Sequence, residues 1–158
     1  STPEQTPDYG PKDKVHPSAG ATGVGARGFL IAYNVNLETP DVDFAESIAS
    51  SIRSTGGGFK ALQAKGFGIN DGKNSQVSMN LTNYKLTGYA KVFNEIEKKC
   101  KEAGVEILES ELIGMTPEAP LVEVAKEITS AQEFGAMSRE DRIMAAAKRL
   151  KILSLIHI

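Results

Sequence analysis

Polar side chains alternate with apolar ones in two segments that have the composition of β-strands. The first segment ends an apolar run that starts at residue 29, and the second spans residues 76–81. Because successive side chains of a strand point to opposite faces, the polar members of each segment share one face. Amides both donate and accept hydrogen bonds, so such a face suits a polar ligand. The polar side chains are Asn34, Asn36, Gln76, Ser78 and Asn80.

This alternation also has structural explanations. The two asparagines can mark the solvated end of the first strand, or the whole face can form a polar seam against another part of the protein. Arg27 stands just before the first strand. Its planar guanidinium can bind a ligand carboxylate through two parallel hydrogen bonds, or it can form a salt bridge at the strand end. The residue types alone leave these alternatives open.

An irregular segment rich in glycine and proline precedes the first strand. Glycine and proline hold backbone conformations that can approach a flat ligand closely, and such loops commonly carry function. Composition alone nevertheless favours a linker. The segment consists of Gly10, Pro11, Lys12, Asp13, Lys14, Val15, His16, Pro17, Ser18, Ala19 and Gly20.

Four predicted strands and two intervening helices would position these side chains. The first helix is capped by Thr39 and stopped by three glycines, and the second is capped by Thr87 and runs to about Ala103. The apolar stripe of the second helix is predicted to consist of Tyr89, Val92, Phe93 and Ile96. The order strand, helix, strand, strand, helix, strand predicts a ferredoxin-like α+β fold with a split β-α-β arrangement (βαββαβ). Strands are predicted over residues 28–37, 59–69, 76–81 and 105–113. A hairpin turn is predicted over residues 70–74, and a break at Gly114 ends the fourth strand.

Further helices are predicted beyond the fourth strand. One begins at Pro117, and another begins with the capping box at Ser138. The first two helices should cover one face of the sheet, so the other face must meet solvent, a second copy or another subdomain. The nearly continuous apolar run of the first strand predicts that both of its faces are covered.

Composition excludes several classes of function. The chain has 158 residues and a formal net charge of −2, without the basic face that a general nucleic-acid binder needs. No apolar stretch is long enough for a membrane span and no signal peptide is recognised. The single cysteine cannot form an internal disulfide, so we expect a cytoplasmic protein. The single Cys100 is expected on a helix surface or half-buried, and the two histidines are too far apart for a zinc site.

Three motifs carry a resemblance to a known family. They are Pro-Asp-Tyr-Gly-Pro at residues 7–11, the glycine-rich segment and first strand at 23–37, and Gln-Val-Ser-Met-Asn-Leu at 76–81. In order and spacing they resemble the C-terminal half of the formiminotransferase domain, as found in the glutamate formimidoyltransferase family of folate enzymes. The resemblance extends through Glu-Ser-Glu-Leu-Ile-Gly at 109–114 to about residue 126, which is most of the chain.

The resemblance implies a reaction and a set of ligands. The formimino group would pass from N-formimino-L-glutamate to tetrahydrofolate in histidine degradation, with tetrahydrofolate as co-substrate and no metal. Residues 10–20 correspond to the folate-binding segment, within which residues 12–14 look variable. Arg27 would meet a glutamate carboxylate, and the five alternating polar side chains would suit a pterin edge or the formimino group.

The resemblance also implies what this chain lacks. The catalytic histidine is expected in an absent N-terminal subdomain, so no catalytic residue is expected here and His16 is interpreted as a ligand-loop residue. This chain alone should therefore be inactive, and the full protein is expected to be a homo-oligomer. Formyl transfer from formylglutamate, or a free-standing ferredoxin-like binding module, remain the alternatives.

We expect the chain to be truncated at both ends. Residues 153–158 match the translation of a common sequencing-library adapter, so His157 carries no functional expectation. A natural apolar tail is the alternative. The predicted organisation is an extended ligand-binding loop over residues 1–27, the formiminotransferase C-terminal subdomain over 28–130, a C-terminal helical extension over 131–152 and the adapter-derived tail over 153–158.

Overall fold

A single four-stranded antiparallel sheet organises the protein. The structure is a computed structural model, and it describes residues 6–113 and 115–153. The strand order is β2-β3-β1-β4, which confirms the predicted ferredoxin-like α+β fold. The elements are β1 (Ile31–Leu37), α1 (Val42–Ile52), β2 (Leu62–Ile69), β3 (Asn74–Leu81), α2 (Tyr89–Ala103), β4 (Ile107–Ile113), α3 (Ala119–Ile128), α4 (Ala131–Ala136) and α5 (Arg139–Arg149).

One face of the sheet and the helices form the core. The inward side chains of β1 alternate with outward ones, and the buried members include Tyr33 and Val35. The apolar stripe predicted for α2 is confirmed, because Tyr89, Phe93 and their stripe neighbours are fully buried. The rings of Tyr33 and Tyr89 meet edge to face with their centroids 5.0 Å apart. This contact joins the central strand to α2.

The second face of the sheet is open within residues 6–113 and 115–153. Coverage of β1 on both faces, inferred from the apolar run at residues 29–33, therefore stays a prediction about parts outside these residues. Phe29 lies before the strand and is 59% exposed, whereas Ile31 and Tyr33 both point into the core. Of the strand residues in that run, Ala32 points to the second face. We call this surface the open face, and it carries the outward side chains of all four strands.

Two predicted helix caps are wrong. In α1 the N-cap is Asp41, whose carboxylate accepts a 2.9 Å hydrogen bond from the Phe44 amide. Thr39 instead accepts a hydrogen bond from the Asp41 amide. The N-cap of α2 is Gly88, because the Thr87 hydroxyl donates to the Lys60 carbonyl at 2.7 Å. The Thr87 hydroxyl is thus occupied by a carbonyl distant in sequence, whereas the Thr39 hydroxyl bonds to the amide two residues further along the chain.

The strand and helix ends differ modestly from the predicted ones. The hairpin between β2 and β3 is confirmed, with a short 3-10 turn at Asn70–Gly72. The predicted stop of α1 is confirmed near its glycines, although the helix ends at Ile52 and a 3-10 turn follows. α4 was not predicted, and a capping box between Ser130 and Glu133 begins it.

The C-terminal helices join the same core. The capping box predicted at Ser138 is confirmed and begins α5, which packs against α3. Arg149 ties α5 to α2, because its guanidinium donates to Glu97 and lies 4.9 Å from the Phe93 ring. After α5 the chain reaches the free edge of β4, where Ser110 pairs with Ile152 in parallel. The tail beyond Leu153, including His157, and the break predicted at Gly114 lie outside the described residues.

Among the five helices of residues 6–113 and 115–153, none combines the length and apolar character needed to traverse a bilayer.

Cys100 is more deeply buried than its charged sequence neighbourhood predicted. The side chain is 1% exposed, so its placement on a helix surface or half-buried is wrong. It occupies the apolar stripe of α2, with the lysines and glutamates of that segment on the outer side. Burial raises the pKa of the Cys100 thiol to about 11, and the nearby Glu97 carboxylate acts in the same direction.

We expect the Cys100 thiol to be unreactive in the folded protein. The rise in pKa from 9.0 to about 11 lowers the thiolate fraction at pH 8 by about 100-fold, and only the thiolate is nucleophilic. Labelling with iodoacetamide should therefore be at least about 100-fold slower than in denaturant. The neutral thiol favours the folded state below pH 9.0, and this contribution is lost as pH rises towards 11. Rapid labelling of the native protein at pH 8 would contradict this burial.

Candidate functional site

The open face brings together the five alternating polar residues that the sequence singled out. β1 and β3 pair so that Asn36 lies opposite Gln76. One row further along the same pair of strands, Asn34 lies opposite Ser78, and Asn80 occupies the third row. The sheet register therefore brings these five side chains onto one surface.

Two carboxylates that the sequence-based site did not include complete the first two rows. Glu109 of β4 pairs with Asn36, and Glu111 pairs with Asn34. Both belong to the stretch at 109–114 that carries part of the family resemblance. Their alternate positions could have placed them on a common face, but only the pairing of β4 with β1 shows that this face is shared with the asparagines.

Glu111 is the centre of a hydrogen-bond network. Its Oε2 accepts from Gln76 Nε2 at 3.1 Å and from Asn34 Nδ2 at 3.3 Å. Its Oε1 accepts from Asn36 Nδ2 at 3.3 Å. One carboxylate therefore holds the NH2 ends of three amides that come from two neighbouring strands.

Asn36 links the other members of the network. Its Nδ2 donates to Glu109 Oε1 at 3.0 Å, and its Oδ1 accepts from Gln76 Nε2 at 2.7 Å. Asn36 is 3% exposed and Gln76 is 8% exposed. Buried amides need hydrogen-bond partners, and these side chains find them in one another and in the two glutamates. We call Asn34, Asn36, Gln76, Glu109 and Glu111 the polar network.

A shallow depression adjoins the polar network on the side of β2. Its volume is about 250 Å³, and Ser78 and Asn80 contribute to its wall. Lys65 and Phe67 line the opposite wall, with the Lys65 ammonium 5.4 Å from the centre of the Phe67 ring. Across the open face the side chains therefore change in character. β4 carries carboxylates, β1 and β3 carry neutral amides, and β2 carries a lysine and an aromatic ring.

The loop at residues 10–20 is exposed and makes its hydrogen bonds within itself. The His16 Nδ1 accepts from the amides of Ser18 at 3.3 Å and Ala19 at 3.1 Å, and the Gly20 amide donates to the His16 carbonyl. With Nδ1 as acceptor, the neutral imidazole carries its proton on Nε2, which is the nitrogen left for a ligand. The structure does not bring this loop onto the open face.

Arg27 also lies apart from the polar network. It is exposed, and its Nη1 donates to the carbonyl of the adjacent Gly28 at 3.2 Å. Within the described residues Arg27 forms no salt bridge. The alternative that Arg27 serves as one half of a salt bridge at the strand end therefore finds no partner among the described residues.

The remaining features do not add a metal site to this surface. No group of three or more His, Cys, Asp or Glu side chains within residues 6–113 and 115–153 could hold a metal ion. A larger cavity of about 460 Å³ lies between the start of α2 and α3, and it shares no lining residue with the open face. The polar network and its adjoining depression are the surface where Asn34, Asn36, Gln76, Ser78 and Asn80 meet.

Comparison with known proteins decides the family. The family described as "Formiminotransferase domain" matches residues 32–158, which include the polar network.

The chain belongs to the formiminotransferase domain family.

The relatives of this chain all carry formimidoyltransferase in their names. The chain is 41% identical over 128 residues to the glutamate formimidoyltransferase of Streptococcus pyogenes serotype M1, and the match covers 81% of this chain and 42% of the relative. Identity to the glutamate formimidoyltransferase of Thermoplasma acidophilum is 38%, covering 92% of this chain and 47% of the relative. The formimidoyltransferase-cyclodeaminase of Mus musculus is 34% identical, with 96% and 29% covered. The chain spans less than half of each of these relatives.

Proposed function

We propose that this chain is the C-terminal, folate-binding half of a glutamate formimidoyltransferase. The full enzyme would transfer the formimino group from N-formimino-L-glutamate to tetrahydrofolate, as required in histidine degradation. The observation that carries this proposal is the hydrogen-bonded polar network on an open sheet face, in a chain of the formiminotransferase domain family. Amide and carboxylate side chains that are held in place beside an accessible depression can orient a small polar ligand.

The reaction sets the roles that the protein must fill. Nitrogen N5 of tetrahydrofolate attacks the formimino carbon, a new carbon–nitrogen bond forms, and the bond to the glutamate nitrogen breaks. N5 loses its proton, the leaving amine must receive one, and the products are 5-formimidoyltetrahydrofolate and glutamate. We assign this proton transfer to a histidine of the missing N-terminal half, since His16 makes local hydrogen bonds in an exposed loop.

The proposal gives this chain the binding roles. Residues 10–20 would contact the folate, with the free Nε2 of His16 among the available donors. The exposed Arg27 would bind a glutamate carboxylate of one substrate. Ser78 and Asn80 would contact substrate at the depression beside the polar network. No metal is required for any of these contacts.

The remaining half of the enzyme would cover the open face. Since the relatives named glutamate formimidoyltransferase are more than twice as long as the matched part, there is length for a second subdomain that closes a cleft over the polar network. In this proposal the complete protein is a cytoplasmic homo-oligomer. The single, buried cysteine agrees with a reducing compartment.

Folate binding by the chain tests the proposal. We expect 5-formyltetrahydrofolate to bind weakly in isothermal titration calorimetry, because only one wall of the cleft is present. Replacing residues 10–20 with a Gly-Ser segment of equal length should weaken binding by at least about tenfold, or 1.4 kcal/mol. Lys73→Ala, in the exposed hairpin turn, is the control and should bind as the unchanged chain does. Equal binding by the loop variant would contradict the role of the loop.

Three further measurements separate this proposal from its alternatives. Native DNA upstream of the codon for Ser1 should encode a second subdomain with a candidate catalytic histidine. A start codon directly before Ser1 would instead support the free-standing module. Turnover of N-formyl-L-glutamate and not of the formimino compound by the full enzyme would support the formyl transfer alternative. Full transferase activity of the chain alone would contradict this division of roles.

A further inference from the structure

We propose that Lys151 is a positioning residue for the polar network. Together with the turn at residues 150–152 that ends α5, here called the α5 turn, it holds the free edge of β4 so that Glu109 and Glu111 reach their amide partners. The inference rests on the proposed function, because it concerns the surface given there to ligand binding. It deepens that function by naming a residue that sets the affinity of this surface without contacting a ligand.

Pairing with β1 leaves part of β4 irregular. Within the described residues β4 lies at the edge of the sheet and has β1 as its one neighbouring strand. Asn36 lies opposite Glu109, but the next residue, Leu37, lies opposite Ile107. Leu108 is therefore an extra residue, and such a bulge interrupts the ladder and can re-aim the side chains beside it. Pairing with β1 alone does not fix the direction of the Glu109 carboxylate.

Lys151 makes hydrogen bonds on both sides of this bulge. Its carbonyl oxygen accepts from the Ser110 amide at 2.8 Å. Its Nζ donates to the carbonyl oxygen of Ile107. In the part of the chain that the structure describes, this ammonium forms no salt bridge. The two residues between these attachments, 108 and 109, are thereby held from the free edge of the strand.

Ser110 determines where its two neighbours point. Successive side chains of a strand point to opposite faces, so Glu109 and Glu111 face outward where Ser110 faces the core. Ser110 is 1% exposed, and its Oγ accepts from the buried Tyr33 hydroxyl at 3.0 Å. Its amide donates to Lys151 and is therefore directed to the free edge of β4. Lys151 thus holds the residue between the two carboxylates from the side opposite to β1.

The backbone at Lys151 has a conformation that is uncommon for a lysine. Its φ is +54°, in the left-handed region that favours glycine. The Lys151 amide donates to the Lys148 carbonyl at 3.2 Å. The Ile152 amide donates to the Ala147 carbonyl at 2.9 Å. These two bonds form a Schellman motif with Lys151 at the position where glycine is usual. A strained residue persists where its surroundings hold it, and here they include both sides of the bulge.

α5 fixes the α5 turn to the core. Leu150 is fully buried, and Ile152 is 9% exposed. Arg149 donates to Asn94 of α2 at 2.6 Å, and α5 packs against α3. Lys151 is therefore attached to the helical layer, and β4 is placed against it. A displacement of α5 would reach the polar network through the hydrogen bonds of this one residue.

The same contacts also have a purely structural explanation. A segment bound to a free strand edge hinders pairing with another chain and adds to stability. A purely structural contact would change the polar network only as far as it changes stability. A positioning residue would also change the network in a variant whose stability is preserved.

NMR of Lys151→Met tests the positioning role in the absence of ligand. This variant removes the ammonium, and it should shift or broaden the side-chain NH2 resonances of Asn34 and Asn36, which donate to the two carboxylates. Hydrogen exchange of the Ser110 amide should become at least about tenfold faster. Lys148→Met, at an exposed position of α5, is the matched control and should leave both measurements unchanged. Unchanged resonances in Lys151→Met would overturn the inference.

Two other substitutions of Lys151 separate positioning from stability. Lys151→Gly relieves the positive φ but has no ammonium, so its urea midpoint should lie above that of Lys151→Met while the same resonances shift. Lys151→Arg keeps a donor for the Ile107 carbonyl and should restore the resonances of the unchanged chain. If the resonances instead follow the urea midpoints through the three variants, the contact serves stability alone and the inference is overturned.

Folate titrations distinguish the failure of the inference from the failure of the proposed function. Lys151→Met should weaken the binding of 5-formyltetrahydrofolate at least about threefold, and Lys148→Met should leave it unchanged. If both variants bind this folate as the unchanged chain does, only the inference fails. If the unchanged chain does not bind it but the NH2 resonances shift as expected, the proposed function fails and the placement of the network by Lys151 remains.

Discussion

Gly66→Ala is expected to lower the free energy of unfolding by about 3 kcal/mol, at the upper end of the usual cost of overpacking a core. β2 and α1 approach so closely here that an added Cβ would lie 2.3 Å from the backbone nitrogen of Glu46 and 2.8 Å from the carbonyl carbon of Ala45. Backbone atoms cannot rotate aside as a side chain can. The strand and the helix would therefore have to separate.

The same approach supports a hydrogen bond that protects the sheet edge. The Gly66 amide donates to Glu46 Oε2 at 2.8 Å, and this bond, with others from Ser50 and Arg53, lowers the pKa of the Glu46 carboxyl. β2 is an edge strand, and a carboxylate over its outward amide leaves less backbone free for pairing with another chain. Separation of β2 from α1 would weaken this bond as well as the packing.

Thermal and urea denaturation would measure the effect of Gly66→Ala. The midpoint temperature should fall by about 6–12 °C for a chain of this size. Gly68→Ala is the matched control on the same strand, because its added Cβ would meet only a methyl group of Val42 at 3.3 Å. That variant should change stability by less than about 0.5 kcal/mol. Equal losses in the two variants would show that α1 is not held against β2 at Gly66.

Phe93→Ala is expected to lower the free energy of unfolding by about 3–5 kcal/mol, the usual range for removing a buried aromatic ring. Phe93 has an exposed fraction of 0% and lies in the centre of the α2 stripe. The Arg149 guanidinium lies 4.9 Å from its ring and also donates to Glu97. The substitution would therefore leave a cavity and also loosen the attachment of α5 to α2.

Urea denaturation followed by circular dichroism would measure this loss. Phe29→Ala removes the same ring from a position that is 59% exposed and is expected to cost less than about 0.5 kcal/mol. Hydrogen exchange of the α5 amides should increase in Phe93→Ala, because Arg149 loses one of its contacts. A loss in Phe29→Ala as large as that in Phe93→Ala would show that the core does not depend on this stripe.

The fold was predictable because its signals are local. The α2 stripe, the hairpin at residues 70–72 and the alternation in β3 each depend on neighbours in the chain, and all three are confirmed. The cap at Thr87 was predicted wrongly because a hydroxyl group can bond to a residue that only the tertiary structure brings close. Thr87 could cap α2 by its position, but Lys60 offers it a carbonyl from a loop distant in sequence.

The site was predictable only in part. The alternation placed Asn34 and Asn36 on one face of their strand and Gln76 on one face of another, and the sheet register brings them together. Glu109 and Glu111 could not be assigned to that site, since nothing local shows which strand lies beside β1. The loop at residues 10–20 and Arg27 were expected near the same ligand, and their roles stay predictions because the structure leaves both away from the polar network.

The sequence by itself determined the family through its motifs. It also determined the order of strands and helices and the side chains that share a face, because strand and helix periods are set over a few neighbouring residues. Only the tertiary structure decided that β1 lies between β3 and β4. Asn34 and Glu111 are 77 residues apart in the chain, and their hydrogen bond forms because two strands pair in one register. That register turns separate amides and carboxylates into one hydrogen-bonded surface.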